Sequence, residues 1–324
     1  MAVKDHKVLL VGCGFVGKRH AQCLRDIGVT QFVFYDADPA RSRELAEIYG
    51  GTTVAKYEDG LKTDADCVYI LSPTRLHVQQ AILAVKAGKH VFLEQPLSDS
   101  LEGIHKLADL AKEKDVVVEI GFCFRFHEGI RQLKQRLDAD EIGKVVSIRA
   151  MVGEHFPDVR PEDLSADYMK DIGAFELTHD LDLTLYLAGE EPDACYGCYG
   201  SHSELGFDSP GTAEMLIRFP QCVANVHFDF FQACRTRTMT VLGQQGQMIL
   251  NFSSWDEYEL RIYTHQTGQW NVITGKTQCN DMFRAESLNF FGAVEGTDEN
   301  LCPIHEAVKS LIVCKTIDSD EANG

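Results

Sequence analysis

Short apolar runs alternate with stretches of helical periodicity along the first 120 residues of the chain. The apolar runs predict five strands, and the stretches between them predict four helices, the third of which is closed by Gly88. The predicted strands are 8–11, 32–35, 67–71, 91–93 and 116–120, and the predicted helices are 15–27, 40–49, 76–87 and 101–114. Strands that alternate with helices and are apolar on both faces indicate a doubly wound parallel sheet.

The pattern changes after Gly121. A helix is predicted over 128–137, a strand over 145–152 and a further helix over 174–187. From 194 to 274 apolar and polar positions alternate with a period of two, as in NVHFDF at 225–230, and GQQGQ at 243–247 predicts a hairpin turn. This alternation is typical of a large, open-faced, mostly antiparallel sheet, which two helices near 282–294 and 304–317 follow.

A glycine-rich turn follows the first predicted strand and opens the first predicted helix. In VLLVGCGFVGKRH, Gly12 allows a tight turn, Gly14 lets a pyrophosphate approach the backbone, and Gly17 lets helix and strand pack closely. The helix N-terminus offers unpaired N–H groups to phosphates. The turn therefore predicts a Rossmann dinucleotide site that includes Gly12, Cys13, Gly14, Phe15, Val16 and Gly17.

The second predicted strand ends in YDAD, which places Asp36 22 residues after Gly14. A carboxylate at this position accepts hydrogen bonds from the ribose diol and repels a 2′-phosphate, so the sequence favours NAD over NADP as cofactor. Arg41 leaves NADP open, because its guanidinium is placed either to stack on adenine, to neutralise a 2′-phosphate, or simply to lie in solvent on the second helix.

Composition and charge limit the possible partners. With 44% hydrophobic and 25% charged residues, the composition is that of a soluble globular protein, and the net charge of -18 argues against nucleic-acid or anionic-membrane partners. The sequence has neither a continuous apolar stretch of membrane-spanning length nor a signal-peptide layout. Its 11 cysteines are scattered and complete no zinc motif, so we expect reduced thiols, a cytoplasmic location and no bound metal.

Several further motifs carry chemistry. SPTRLH follows the third predicted strand, LEQP ends the next strand at 93–96, GFCFRFH lies where the pattern changes, and ELTHDLD opens the helix predicted over 174–187. Together with the glycine turn, they resemble the glucose–fructose oxidoreductase/inositol dehydrogenase/rhizopine-catabolism (Gfo/Idh/MocA) family of NAD(P)-dependent sugar oxidoreductases. The resemblance extends over essentially the whole chain.

The resemblance implies an N-terminal Rossmann domain over 1–122 and a C-terminal α+β domain over 123–324, whose last helix is able to pack back on the first domain. Nicotinamide and sugar are then expected to meet between the two domains. The residues expected on the cofactor side are Ser72, Pro73, Thr74, His77, Glu94, Gln95 and Arg125. For His77 an ordinary hydrogen-bonded histidine at a helix start is the alternative.

The resemblance also raises a question about Gln95. The family motif reads Glu-Lys-Pro, and its lysine hydrogen-bonds the reacting hydroxyl and helps to move its proton. Glutamine keeps a hydrogen-bond donor but has no charge and no capacity for proton transfer. Loss of a general acid/base costs a factor of about 10²–10⁴ unless another group substitutes.

The ELTHDLD segment offers that substitute. Glu176, His179 and Asp182 are spaced three residues apart and share one face of a helix. Two acids flanking a histidine fix its tautomer and stabilise its protonated form, which suits an acid/base group, although a salt-bridged structural histidine is the alternative. Within the resemblance His179 matches the family histidine, Asp182 the acid after it, and Glu176 the upstream aspartate at a spacing one residue shorter. Tyr168 is a further candidate donor, and His155 and Asp158 are candidates to hold sugar hydroxyls.

We therefore expect an NAD(P)-dependent oxidoreductase that transfers a hydride between nicotinamide and a hydroxyl or keto group of a sugar, cyclitol or nucleotide-sugar. Two alternatives stay open. One is a catalytically silent NAD-binding relative that acts as a ligand sensor or regulator, and the other is an enzyme that uses tightly bound NAD for transient oxidation in elimination or glycoside cleavage. The exposed face of the second sheet predicts a homodimer or homotetramer.

Overall fold

The computed structural model describes residues 3–155, 178–201 and 210–321. Contacts divide the chain into two compact units. The first unit is Met1–Cys123 with Asn280–Leu311, and the second is Phe124–Cys279 with Ile312–Gly324. The domain limits expected from the sequence, 1–122 and 123–324, stay a prediction.

The first unit contains a six-stranded parallel sheet in the order β3-β2-β1-β4-β5-β6. From β1 the chain passes outward to β2 and β3. It then crosses to the other side of β1 and continues outward through β4, β5 and β6, which is the doubly wound arrangement. Its strands are β1 (Lys7–Val11), β2 (Gln31–Tyr35), β3 (Thr52–Thr53), β4 (Cys67–Ile70), β5 (His90–Glu94) and β6 (Val118–Gly121). Its helices up to β6 are α1 (Phe15–Asp26), α2 (Pro39–Tyr49), α3 (Tyr57–Leu61), α4 (His77–Lys86) and α5 (Ile104–Lys114).

The second unit contains an eight-stranded sheet in the order β14-β13-β12-β11-β7-β10-β9-β8, in which only β7 and β10 run parallel. Its strands are β7 (Val145–Gly153), β8 (Ala194–Ser201), β9 (Pro210–Arg218), β10 (Val223–Asp229), β11 (Thr236–Gly243), β12 (Gly246–Asn251), β13 (Glu257–Thr264) and β14 (Trp270–Lys276). The remaining helices are α6 (Glu128–Asp138), α7 (Thr178–Ala188), α8 (Cys279–Glu295) and α9 (Ile304–Glu321).

The predicted fold class is confirmed, and so is the hairpin between β11 and β12. Apolar residues account for both sheets: every residue of β4 is buried, whereas β10 alternates between buried Val226 and Phe228 and the half-buried residues between them. The short elements β3 and α3 escaped prediction, because two exposed threonines and five residues carry too little periodicity.

Helix α8 packs in the core of the first unit. Its Phe290 contacts Tyr69 of β4 and Phe92 of β5, with ring centroids 5.5 and 5.9 Å apart, and Phe291 joins the same buried cluster. A segment near the end of the sequence thus completes the core of the sheet formed by the first 121 residues.

Candidate functional site

The glycine turn of the first unit has the geometry of a phosphate-binding loop. Gly12 has a φ of 96°, and a Cβ there would lie 2.5 Å from the carbonyl oxygen of Leu71, so only glycine fits. A Cβ on Gly17 would lie 2.1 Å from the carbonyl oxygen of Gly12, so Gly17 allows α1 to pack against the turn. Gly14 is the N-cap of α1 and no side chain caps it, which leaves the first amides of α1 for an anion.

Asp36 lies beside this turn and is fixed by backbone amides. The N–H of Cys13 donates to Oδ2 of Asp36 at 2.7 Å, and the N–H of Asp38 donates to Oδ1 at 2.8 Å. A carboxylate has about four lone-pair sites, so two remain for the hydroxyls of a ribose. Burial and the charge of Asp36 raise the pKa of the Cys13 thiol to about 12, so this cysteine is inert.

The other residues predicted at the turn are open to solvent. Phe15 is 69% exposed and carries the guanidinium of Arg19 over its ring at 4.8 Å, and Val16 is also exposed. Arg41 is exposed, pairs loosely with Asp38 at 3.8 Å, and has its NH1 3.9 Å from where a Cβ of Gly14 would be. The guanidinium of Arg41 thus lies near the turn and in solvent, and its three expected roles stay open.

His77 connects the two loops that follow β4 and β5. Its Nε2 lies 2.6 Å from the carbonyl oxygen of Ser72 and its Nδ1 lies 2.9 Å from that of Pro96. The ring is buried, and burial lowers its pKa despite both carbonyl contacts. These contacts favour the reading of His77 as a hydrogen-bonded histidine that fixes the loops. Within them, Pro73 is exposed and Thr74 is buried.

Strand β5 ends at Glu94, and the next residue, Gln95, is half-buried. The peptide bond between Gln95 and Pro96 is cis. Oε2 of Glu94 lies 2.8 Å from Nε2 of His20, a fully buried residue of α1. The last residue of β5 is thus held by the helix that begins at the glycine turn, which places Glu94 and the turn at the same edge of the sheet.

In the second unit the structure brings together two predicted residues, Arg125 and Asp182. The Nε of Arg125 donates to Oδ2 of Asp182 at 2.8 Å and its NH2 donates to Oδ1 at 2.6 Å, and each side chain is about 2% exposed. This bidentate, buried ion pair fixes α7 to the segment that precedes α6. The carboxylate of Asp182 is therefore directed to a guanidinium, and Arg125 has a role in positioning α7.

His179 lies in the first turn of α7, and its ring packs edge-on against Phe124 at 4.9 Å. His155 is half-buried just after β7. Glu176, Tyr168 and Asp158, which the sequence also singles out, lie outside the described residues.

Sequence reasoning missed a set of charged residues near Phe124, the ring against which His179 packs. NH2 of Arg237 lies 2.9 Å from Oδ2 of the buried Asp180, and the Arg237 guanidinium stacks over Phe124 at 4.0 Å. Burial raises the pKa of Asp180, and the charge of Arg237 opposes that rise. Arg235 pairs with Glu154 at 3.3 Å.

The sequence contained a signal for one of these residues. In β11 the inward positions are Arg237, Met239 and Val241, and an arginine at an inward position of a strand is unusual. Such a residue indicates a buried partner, although it does not say which one.

All 11 cysteines are free, as expected for reduced thiols. Among the described residues, one group has donor atoms close enough to hold a metal ion, namely His6, Asp66 and Cys67. It lies where β1 and β4 begin, at the opposite end of the strands from the glycine turn, and both ring nitrogens of His6 already contact carboxylates, those of Asp66 and Glu295. Within the described part of the chain, no helix is long and apolar enough to cross a membrane.

Comparison with known proteins identifies both parts of the chain. Residues 6–122 match the model of the oxidoreductase family with an NAD-binding Rossmann fold, and residues 130–249 match the Gfo/Idh/MocA C-terminal domain. The cofactor expected from the sequence, NAD, is the one that the first of these models specifies.

Named relatives act on sugars and cyclitols. The chain is 29% identical to myo-inositol 2-dehydrogenase of Thermotoga maritima over 66% of this chain and 65% of that protein. It is 31% identical to UDP-N-acetylglucosamine 3-dehydrogenase of Acidithiobacillus ferrooxidans over 56% and 54%, and 28% identical to levoglucosan dehydrogenase of Pseudarthrobacter phenanthrenivorans over 84% and 81%. The match to the first two relatives thus spans 54–65% of their length.

The fold also recurs among solved structures. Levoglucosan dehydrogenase in complex with NADH and levoglucosan superimposes with a TM-score of 0.84 at 21% identity, over 97% of each chain. UDP-N-acetylglucosamine 3-dehydrogenase of Acidithiobacillus ferrooxidans gives a TM-score of 0.81 at 23% identity, over 96% of each chain. At these identities the superpositions establish the fold alone. The two family models together match most of the chain, which therefore belongs to the Gfo/Idh/MocA family.

Proposed function

We propose that this protein is an NAD-dependent oxidoreductase that transfers a hydride between nicotinamide and a hydroxyl or keto group of a sugar, cyclitol or nucleotide-sugar. The observation that carries the proposal is the glycine turn beside an Asp36 whose carboxylate is fixed by two backbone amides. The substrate class rests on the relatives, which act on an inositol, on UDP-N-acetylglucosamine and on levoglucosan by their names.

Oxidation of an alcohol releases a proton as the hydride leaves for the cofactor. We assign the acceptance of that proton to His179 and the orientation of the reacting oxygen to Gln95, whose amide donates a hydrogen bond and does not titrate. Buried ion pairs support the role of His179, because Asp180–Arg237 and Arg125–Asp182 anchor the helix that carries it.

Residues of the first unit are assigned to the parts of the cofactor in the same way. Amides of the glycine turn are assigned to the pyrophosphate and Asp36 to the adenosine ribose, whose 2′-phosphate in NADP the carboxylate would repel. Ser72, Pro73, Thr74 and Glu94 are assigned to the surroundings of the nicotinamide. His77 then serves by joining the loops after β4 and β5.

The test is a panel of sugars, cyclitols and nucleotide-sugars, each incubated with NAD or NADH while nicotinamide absorbance is followed. We expect turnover with at least one member, and His179→Asn should lower kcat about 10²–10⁴-fold without weakening NAD binding. Absence of turnover across the panel would contradict the proposal.

Gln95→Lys distinguishes an adapted enzyme from a silent relative. A protein whose site is adapted to glutamine should lose turnover when lysine is introduced, since the ammonium adds a charge beside the cofactor. Activity that arises only in the lysine variant would indicate that the natural protein is a silent NAD-binding relative.

We also propose that the open face of the second sheet mediates a homodimer or homotetramer. Large apolar residues on this face are 40–61% exposed: Met151, Tyr196, Leu216, Val223 and Leu242. Their pairing partners across the strands place them in neighbouring rows of one face. Leu216→Glu should therefore shift the mass measured by light scattering towards the monomer, and an unchanged mass would exclude this surface.

A further inference from the structure

One buried acid of the first unit has no role in the proposed chemistry. Glu286 lies on α8 and is 1% exposed. It follows Phe283 by three residues and precedes Phe290 by four, so all three side chains share one face of the helix. Phe283 contacts the ring of His20 at 5.5 Å and Phe290 contacts that of Phe92 at 5.9 Å, so Glu286 points between them towards α1 and β5.

Two of the groups that face Glu286 are carboxyl groups. Glu94 ends β5, and Glu119 lies beside Phe92 in the register of β5 and β6. The titratable groups around Glu286 on the packed elements are His20 and Cys23 of α1, Tyr69 of β4, Glu94 of β5 and Glu119 of β6. The hydrogen bond of the His20 Nε2 is directed to Glu94 at 2.8 Å.

No cation pairs with Glu286 within the described parts of the chain, and neither of its carboxyl oxygens has a hydrogen-bond partner there. Two arginines close to Phe283 in sequence or in space are engaged elsewhere, since Arg284 pairs with Asp26 and Asp281 and Arg19 stacks over Phe283. A carboxylate that is buried without a cation and beside two other carboxylates is strongly unfavourable, and such a group takes up a proton instead.

We infer that Glu286 is a neutral carboxylic acid at neutral pH and acts as a positioning residue for Glu94, so that NAD affinity falls when this proton is lost. The inference rests on the proposed placement of Glu94 beside the nicotinamide end of the cofactor. As a neutral acid Glu286 adds no charge behind Glu94, and the His20–Glu94 hydrogen bond keeps its geometry. When Glu286 ionises, three carboxylates lie in one dry region, and Glu94 and α8 must move apart to admit water.

The direction of the pH effect follows from the burial of Glu286 and from the charges of Glu94 and Glu119, which raise its pKa well above the ordinary value of a glutamic acid. A group whose pKa is higher in the folded than in the unfolded state contributes stability that is fully present below the unfolded pKa. That stability is lost as the pH rises through the folded pKa. The protein should therefore become less stable and bind NAD less tightly under alkaline conditions.

The decisive variant is Glu286→Gln, because an amide resembles a protonated carboxyl in shape and neutrality. The ratio of the folding equilibrium constant of Glu286→Gln to that of the natural protein should increase with pH, by at most about tenfold per pH unit. The NAD dissociation constant, measured by calorimetry at increasing pH, should rise in the natural protein over the pH range in which this proton is lost and stay constant in Glu286→Gln. Glu295→Gln is the matched control on the same helix, and its offset in stability should not grow over this range.

A measurement on the natural protein alone covers the case in which the variant fails to fold. Infrared spectra of protein labelled with ¹³C-glutamate should show a protonated glutamic acid band at pH 7 that disappears at high pH, and the label separates it from the bands of aspartic acids. Absence of this band, or an NAD affinity with the same pH dependence in both proteins, would overturn the inference. Because these readouts need no turnover, they stand apart from the test of the proposed reaction.

Discussion

The two units of the molecule accommodate buried charge in opposite ways. In the second unit the buried Asp180, Asp182 and Glu154 each have an arginine partner. In the first unit Glu286 is buried beside two other acids and pairs with no cation among the described residues. A guanidinium favours the charged form of the acid that it faces, whereas an acid that faces other acids keeps its place only while a proton neutralises it.

His127 of the second unit is the counterpart of Glu286. Burial and the positive charge of Arg237 lower its pKa to about 4, so its ring is neutral at physiological pH. Burial, helped by negative charges, thus keeps a carboxyl protonated in the first unit, and burial, helped by a positive charge, keeps an imidazole deprotonated in the second. The two units should therefore respond to opposite ends of the pH scale.

The largest effect is expected from breaking an arginine pair. Arg125→Met leaves the carboxylate of Asp182 buried without its cation, and we expect a loss of about 3–5 kcal/mol in the free energy of unfolding. Urea denaturation at pH 7 measures it. The double variant Arg125→Met/Asp182→Leu should recover much of the loss, because no charge is left behind. A single variant as stable as the natural protein would show that Asp182 tolerates burial alone, as Glu286 does.

A somewhat smaller effect is expected from acid. The N–H of Gly129 donates to Nδ1 of His127 at 3.2 Å, which requires an unprotonated Nδ1 and caps helix α6. Because the folded pKa is depressed, this stability is present above the unfolded pKa of 6.5 and is lost as the pH falls towards about 4. The full loss is about 3 kcal/mol.

Denaturation curves between pH 7 and pH 4 test this prediction. His127→Asn keeps a capping side chain but cannot titrate, so its stability should fall less over this range than that of the natural protein. His265→Asn, at an exposed position, is the control and should follow the natural protein. Parallel curves for the natural protein and His127→Asn would mean that His127 does not contribute to the acid response.

The contrast between the units also explains what the sequence could predict. Both sheets and the glycine turn follow from periodicity and from residues whose roles are local, such as Gly12, where only glycine fits. The pairing of Arg125 with Asp182 spans 57 residues, and no local pattern specifies it. The resemblance placed both residues near the site but left open that they bind each other.

The acid cluster was hidden for a similar reason. Glu94, Glu119 and Glu286 come from three distant segments, and α8 reaches the first sheet only through the tertiary fold. A single acid in the apolar stripe that includes Phe283 and Phe290 is nevertheless a readable signal, because it predicts a charged group that must find a partner or a proton. His20 likewise stands in the quoted glycine motif, but its bond to Glu94 becomes visible only in three dimensions.

A third way to accommodate an acid is shown by Asp36, which backbone amides hold. Asp36→Ala should weaken NAD binding about tenfold, since it removes charge-assisted hydrogen bonds worth about 1.5 kcal/mol or more. It should weaken NADP binding less, because the repulsion of a 2′-phosphate disappears with the carboxylate. Asp38→Asn, which keeps a cap for α2, is the matched control and should change either affinity by less than twofold.

The smallest effect is expected at Arg41, whose guanidinium lies near Gly14 of the glycine turn. Its side chain is 58% exposed and its contact with Asp38 is 3.8 Å long, so salt and water screen it. Arg41→Ala should therefore change the NAD dissociation constant by less than about twofold at 0.15 M salt, the range typical of exposed charges. A tenfold loss would show instead that the guanidinium holds the cofactor directly. A loss of affinity for NADP alone would show that the Arg41 guanidinium binds the 2′-phosphate. The first unit would then pair an arginine with a negative charge of its ligand, whereas the second unit pairs arginines with its own acids.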